Sequence, residues 1–265
     1  MTSVRVRDLI ADNNYPRLSH QENDMKIAIA GATGRIGSQL TALARKQGHE
    51  VVEIARETGF DLLSPDSGLE QALAGVDTVV DVTACPLDQA ATFFPTVARN
   101  IGSAATAAGV RRSVVLSIVG VDRSPDYDYY VAKLAQEQAY RETAPGVVVL
   151  RATQFLDFAA QMLEWNTQDG VAQIIDVPTQ PVATGEIVRL LLDVATGAVE
   201  GDVELGGPKR ENLVDQVRRL VEKSGQDVRV EPVTAPESLT NGAMLPGAGA
   251  LLRGQSFDDW LAEHA

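Results

Sequence analysis

Met25-Lys-Ile-Ala-Ile-Ala-Gly-Ala-Thr-Gly-Arg-Ile-Gly37 runs from a short apolar stretch through a glycine-punctuated turn into the start of an amphipathic helix. Ile27, Ala28, Ile29 and Ala30 form the unbroken apolar run expected of a parallel strand buried on both faces. Gly31, Gly34 and Gly37 follow in the order G-x-x-G-x-x-G. The first allows a tight turn, the second lets backbone approach a pyrophosphate, and the third lets helix and strand pack closely. A phosphate on such a turn meets the free N–H groups and positive dipole end of the helix. Gly31, Thr33, Gly34, Arg35, Ile36 and Gly37 are therefore the candidate dinucleotide-binding turn. A glycine triplet alone marks only a loop; the strand before it and the helix over 35–47 after it carry the functional reading.

Alternation of strand and helix continues outward from this unit. Residues 50–55 read as the second strand, with Arg56 at the end where the adenosine ribose is read. A basic residue there pairs with the 2′-phosphate of NADP, and Arg35 in the turn would supply a second jaw, so NADP (NADPH) is the expected cofactor. Alternatively, both arginines are solvated surface charges. Glu53 falls inside the strand and does not argue for NAD. Residues 60–62 are a short candidate third strand, where Asp61 either touches adenine or ends the strand. A helix over 64–74, a strand over 78–82, a long helix over 87–109 and a Val- and Ile-rich strand over 112–118 follow. Thr83 and Ala84 thus lie at the carboxyl edge of a parallel sheet, the ligand edge. Cys85, beside them without a histidine partner, reads as small apolar filling that can line a pocket.

Beyond the fifth strand, which closes at Ser117, Tyr129 and Lys133 stand four apart on a predicted helix and share a face. A phenol is a poor acid or base near neutrality until a nearby ammonium stabilises its phenolate, and a serine hydroxyl can hold the substrate oxygen. Gly-Ala-Thr-Gly-Arg-Ile-Gly, Ser117 and Tyr129-x-x-x-Lys133 resemble the short-chain dehydrogenase/reductase superfamily, specifically its atypical NmrA-like branch. The resemblance extends from about Met25 to the C-terminus and includes Leu150-Arg-Ala-Thr-Gln-Phe155 and Phe257-Asp-Asp-Trp-Leu261. It implies Ser117, Tyr129 and Lys133 as the catalytic trio, Lys133 also holding the nicotinamide ribose, with Thr83, Ala84, Gln154 and Phe155 flanking cofactor and substrate. Tyr127 and Tyr130 stand beside Tyr129 as alternative phenols. Members of the branch often keep the nucleotide site while losing the tyrosine, and some act as redox-sensing regulators.

The sixth strand, 147–151, is followed by Phe155, Phe158, Met162 and Trp165 at helical spacing. They read either as a core face or as the wall of an apolar substrate pocket. Strands over 171–177 and 202–205 and helices over 184–195, 213–223 and 257–263 would make a small C-terminal lobe, with the Gly- and Pro-rich stretch 242–254 as a mobile lid. The expected fold is α/β, a doubly wound parallel sheet (Rossmann) in strand order 3-2-1-4-5-6. Its parts are a flexible extension (1–24), a dinucleotide-binding core (25–152) and a C-terminal part (153–265) that completes the fold and forms the substrate lobe.

Composition narrows the function. The formal charge of −13, from 23 basic and 36 acidic residues without a basic cluster, argues against nucleic acid. No apolar run approaches the roughly 18 residues of a membrane span, and one cysteine among 265 residues fits a reducing cytoplasm. Three unclustered histidines argue against a metal. The expected partner is a small-molecule substrate, with a homo-oligomer possible. The expected activity is hydride transfer between nicotinamide and a ketone, aldehyde or quinone carbonyl. An NADP-sensing regulator and a non-redox cyclase or isomerase are the competing readings.

Overall fold

The computed structural model of the protein describes residues 24–264, so the expected N-terminal extension lies outside the described residues apart from Asp24. Strand and helix alternate first through β1 (Lys26–Ala30), α1 (Arg35–Lys46), β2 (Glu50–Ile54), a short α2 (Leu69–Ala72) and β3 (Thr78–Asp81). The 21-residue α3 (Leu87–Ala107), β4 (Arg112–Ile118), α4 (Asp128–Thr143) and β5 (Val147–Ala152) complete this part. Next come α5 (Phe158–Asn166), β6 (Thr167–Gln168), β7 (Val171–Ile175), β8 (Pro178–Thr179) and α6 (Thr184–Thr196). The rest is β9 (Val203–Gly206), β10 (Glu211–Asn212), α7 (Leu213–Ser224), β11 (Arg229–Val233), α8 (Glu237–Thr240), β12 (Leu251–Leu252) and α9 (Phe257–His264).

Seven strands form one parallel sheet in the order β12-β9-β5-β4-β3-β1-β2. Period-two alternation gives it two apolar faces. Ile27, Ile29, Val80, Val114 and Leu150 pack with Leu40 and Ala44 of α1 and with Ile187, Leu191 and Val194 of α6. Ala28, Ala30, Val79 and Val115 pack on the other face with Val97 and Ile101 of α3 and Tyr140 of α4. This is the doubly wound Rossmann arrangement expected.

Its edges differ from the expected order. Residues 60–62 form a turn rather than a third strand. The Asp61 carboxylate accepts a hydrogen bond from the Leu63 N–H at 3.0 Å and its carbonyl accepts one from the Ser64 N–H at 3.1 Å. That local bonding competes with a ladder, so the sheet ends at β2. At the opposite edge β9, expected in the C-terminal lobe, pairs with β5, and β12 pairs with β9. The cause is α6, whose apolar side chains cover the same sheet face as α1 and make the path from β5 through α6 to β9 a crossover back onto the sheet.

A third apolar cluster lies apart from the sheet faces and joins Leu156, Ala159 and Leu163 to Ile174, Leu213, Val217 and Phe257. Beside it are the β11-β7-β6 sheet and the β10-β8 pair. The expected lid is pinned: Arg123 Nη2 donates to the Ala243 and Leu245 carbonyls at 3.0 Å each, and Glu204 accepts from the Gly247 N–H at 2.8 Å. Leu251 and Leu252 in the same stretch are sheet residues.

A close backbone contact tests the role of the third glycine. A Cβ at Gly37 would sit 2.0 Å from the Gly31 carbonyl oxygen, whereas at Gly75 (φ +72°) it would meet open space. Gly37→Ala is expected to cost about 3 kcal/mol, at the upper end for overpacking. Gly75→Ala should cost about 1 kcal/mol for its left-handed backbone. Urea denaturation of the two variants checks the ranking.

Candidate nucleotide and active site

The glycine turn is held by its own backbone. Gly31, at φ +82°, donates its N–H to the Ile54 carbonyl at 2.8 Å, tying the turn to the end of β2. A Cβ there would press on the Val82 and Thr83 backbone at 3.1 Å. Gly34 is the N-cap of α1, no side chain caps the helix, and its first turn holds no acidic residue. The opening N–H groups are thus left for an anion. Thr33, Gly34 and Arg35 are exposed, whereas Ile36 is buried in the core and can offer only its backbone.

The two arginines expected to grip one phosphate face different neighbours. Arg56 is exposed at the start of a 3-10 turn that follows β2. Arg35 is ion-paired with Asp157, the N-cap residue of α5, and lies over the Phe155 ring at 5.4 Å. A carboxylate and an aromatic face within reach of the guanidinium account for this departure from the expected pair of jaws. Glu57 is a residue the sequence reading missed. It accepts from the Thr33 hydroxyl at 2.8 Å, and hydrogen bonding by its own backbone, then by Thr33, holds its carboxyl below the usual range. Its signal was an acidic residue next to Arg56, where only Glu53 was weighed; Glu53 is bound to Arg45 at 2.6 Å. Asp61 caps its own turn, as described above.

At the carboxyl ends of β3, β4 and β5 the structure leaves three buried side-chain oxygens without a hydrogen-bond partner: Thr83 Oγ1, Ser117 Oγ and Gln154 Oε1. Each such group costs about 1–3 kcal/mol if left unsatisfied. By the two-residue alternation Ser117 shares with Val115 the face covered by α3 and α4. Three orphaned polar atoms at successive strand ends, beside a cradle that a Cβ would fill, fit a polar ligand laid along this edge. Ala84 follows Thr83 there.

Helix α4 brings Tyr129 and Lys133 to the same neighbour, Phe94. The Tyr129 ring meets it edge-on, centroids 5.6 Å apart, and the Lys133 ammonium lies 4.5 Å from its centroid. Activation of the phenol by the lysine is not what the structure shows. Burial, with Cys85 and Tyr127 adding to it, pushes the Tyr129 phenol up to about 12. The Lys133 Nζ instead donates to the Leu116 carbonyl at 2.9 Å and to Gln136 Oε1, because a strand carbonyl and an amide one turn along the helix lie within its reach. Burial brings Lys133 down to about 8, against the opposing pull of Asp81, Glu137 and Cys85. Gln136 Nε2 and the Tyr140 hydroxyl both donate to Asp81 Oδ2 at 2.8 Å, and the Thr83 N–H donates to Asp81 Oδ1 at 2.8 Å. Asp81, a carboxylate closing an otherwise apolar strand, and Gln136, three residues past the lysine, also went unread in the sequence.

The alternative phenols are placed differently. Tyr130 is buried in the C-terminal cluster, where Gln154 Nε2 donates to its oxygen at 3.3 Å and its ring contacts that of Tyr127. Cys85 packs with Phe93, Phe94 and Tyr129, and burial pushes its thiol up. Phe155, Phe158, Met162 and Trp165 do not make one wall. Phe155 borders the α1–α6 side of the sheet, Phe158 and Met162 pack on the C-terminal cluster, and Trp165 is 68% exposed. The helix starts only at Phe158, so Phe155 is outside its periodicity. Among the described residues no His, Cys, Asp and Glu group could hold a metal, and no helix is long and apolar enough to cross a membrane.

Residues 58–185 match the family described as NAD(P)H-binding. The chain is 27% identical over 250 residues to dTDP-4-dehydrorhamnose reductase of Mycolicibacterium smegmatis, covering 83% of this chain and 76% of that protein. It is 26% identical over 286 residues to (4-alkanoyl-5-oxo-2,5-dihydrofuran-3-yl)methyl phosphate reductase of Streptomyces griseus, covering 90% and 98%. Its fold is similar, at a TM-score of 0.69 and 17% identity, to NADPH-dependent quinone oxidoreductase QOR2 of Escherichia coli complexed with NADPH, covering 89% of this chain and 99% of that one. The fold is the doubly wound Rossmann arrangement, just under half of the chain matches an NAD(P)H-binding family, and reductases of small molecules are among the distant relatives it resembles.

The buried ammonium has a measurable linkage. Lys133 titrates near 8 in the fold against 10.5 as its ordinary value, so the unfolded chain binds more protons between these limits. The cost of burying the charge is present below about pH 8 and is relieved as pH rises toward 10.5. Wild type should therefore gain on the order of 3 kcal/mol relative to Lys133→Met across that window. Urea melts of both proteins as a function of pH check it.

Proposed function

We propose that the protein is an NADP-dependent oxidoreductase of the NmrA-like branch that reduces a ketone, aldehyde or quinone carbonyl of a small molecule in the cytoplasm. The observation that carries this reading is the row of orphaned oxygens on Thr83, Ser117 and Gln154 at the carboxyl edge of the sheet. The turn from Gly31 to Gly37 would hold the pyrophosphate, Arg56 the 2′-phosphate, Thr83 and Ala84 the passage between them and the nicotinamide end, and Lys133 the ribose. Bound NADPH supplies the hydride. Ser117 Oγ holds the carbonyl oxygen, Tyr129 delivers the proton to it as negative charge develops, and the alcohol leaves. Lys133 has three N–H groups and gives two to Leu116 and Gln136, leaving the third for ligand. Gln154 and Phe155 border the substrate, with Cys85 as apolar lining.

Tyr129→Phe is the direct test. Carbonyl reduction should fall by about 100-fold or more, the usual worth of a positioned acid, while NADPH affinity measured by calorimetry stays within about twofold. The Tyr129 phenol, held neutral by burial, favours a second reading, a nucleotide-binding regulator without reductase chemistry. Wild type that binds NADPH yet consumes none with a panel of ketones, aldehydes and quinones would establish that second reading.

Glu57 favours NAD at the ribose end, and Arg56 favours NADP. A charge-assisted contact is worth about 1.5–3 kcal/mol, so Arg56→Ala should cost NADPH at least about tenfold in affinity and NADH little. Glu57→Gln should shift preference toward NADPH by relieving repulsion of the 2′-phosphate. Calorimetric titration of both cofactors against the two variants decides between the residues.

A further inference from the structure

We propose that Asp81 and Gln136 are positioning residues for Lys133: the Gln136 amide, gripped at its nitrogen by the Asp81 carboxylate, turns its oxygen onto the ammonium and fixes its direction and charge. The inference rests on Lys133 serving the nucleotide cleft.

Three observations carry it. The amide can point only one way, because a carboxylate accepts and an ammonium donates; Gln136 Nε2 meets Asp81 Oδ2 at 2.8 Å and Oε1 meets Lys133 Nζ. Every member is buried: Asp81 is 1% exposed, Gln136 0% and Lys133 4%. Asp81 itself accepts three hydrogen bonds, from Gln136, the Tyr140 hydroxyl and the Thr83 N–H, so its orientation is locked. The Thr83 bond makes the same carboxylate brace the loop that leads from β3 into the cleft.

Other titratable groups around the ammonium have different duties. Glu137 of α4 is tied to Arg151 of β5 at 2.8 Å, Arg151 is shared with Asp122, and Cys85 and Tyr129 are neutral and pack around Phe94. Asp81 is therefore the carboxylate joined to Lys133 through a hydrogen-bonded bridge. An intervening amide has a chemical consequence. Direct contact would tie the ammonium to the carboxylate itself, whereas the bridge presents an uncharged acceptor to Lys133 and holds the balancing charge one group away.

The test is the titration of Lys133 followed by the ¹³C signal of its ε-carbon. In Gln136→Met, which nearly conserves volume, the midpoint should fall from about 8 by about one unit or more, since a buried ammonium loses an acceptor. In Asp81→Asn it should fall as well. The alkaline limb of any carbonyl reduction should move with it, whereas a purely structural lesion would lower activity without moving the limb. An unchanged midpoint in these variants overturns the proposal. Should neither variant fold, wild type still decides: Gln136 side-chain amide signals should titrate with Lys133, and signals that ignore it overturn the bridge. Because the titration needs no turnover, an inactive wild type would remove the reductase reading while leaving this one standing or falling on its own midpoint.

Discussion

The Gly31 carbonyl lies where a Cβ on Gly37 would come within 2.0 Å of it. That close approach sets how α1 leaves β1, and the rest of the site is built outward from it. Because the helix starts against the strand end, its unbonded N–H groups open at the carboxyl edge of the sheet, where the turn meets Val82 and Thr83 after β3. Parallel pairing then delivers Thr83, Ser117 and Gln154 to the same edge. No one of these placements is local; each follows from a strand direction that the first crossover imposes.

Charge inside the fold is handled by enclosure rather than by exposure. Asp81, Gln136, Lys133 and Tyr140 bring a carboxylate, an amide, an ammonium and a phenol into a dry region between α4 and β3. Each charge would be expensive alone, and their bonding satisfies most of what burial removes. Arg151 repeats the device further along the sheet, forked onto Glu137 and reaching Asp122. The two networks sit back to back on α4, through Gln136 and Glu137, so neighbouring residues of one helix connect to different strands.

Much of this was legible in the chain. The strand-turn-helix at Met25 to Gly37, the alternation through β5 and the meeting of Tyr129 with Lys133 on one helical face all follow from short-range patterns. What escaped depends on distant partners. Residues 60–62 looked like a strand, and the Asp61 carboxylate turned them back on themselves. Residues 202–205 looked like any short strand; only the burial of α6 against the α1 side decides which sheet they join. The ion-pair partner of Arg35, Asp157, lies beyond seven further strands and helices. The Asp81–Gln136 bond links residues 55 apart in sequence and leaves no periodic trace.

The Arg35–Asp157 pair gives the two parts of the chain a common account. Arg35 belongs to the turn and Asp157 to the start of α5, and the second oxygen of that carboxylate is already buried without a partner. A ligand that draws the guanidinium toward itself strips Asp157 of its counter-charge, so part of the work of filling the turn is done on α5. Thermodynamic reciprocity then requires the converse: whatever steadies the start of α5 with Asp157 on Arg35 weakens, by the same factor, the hold of the turn on any ligand that needs that arginine.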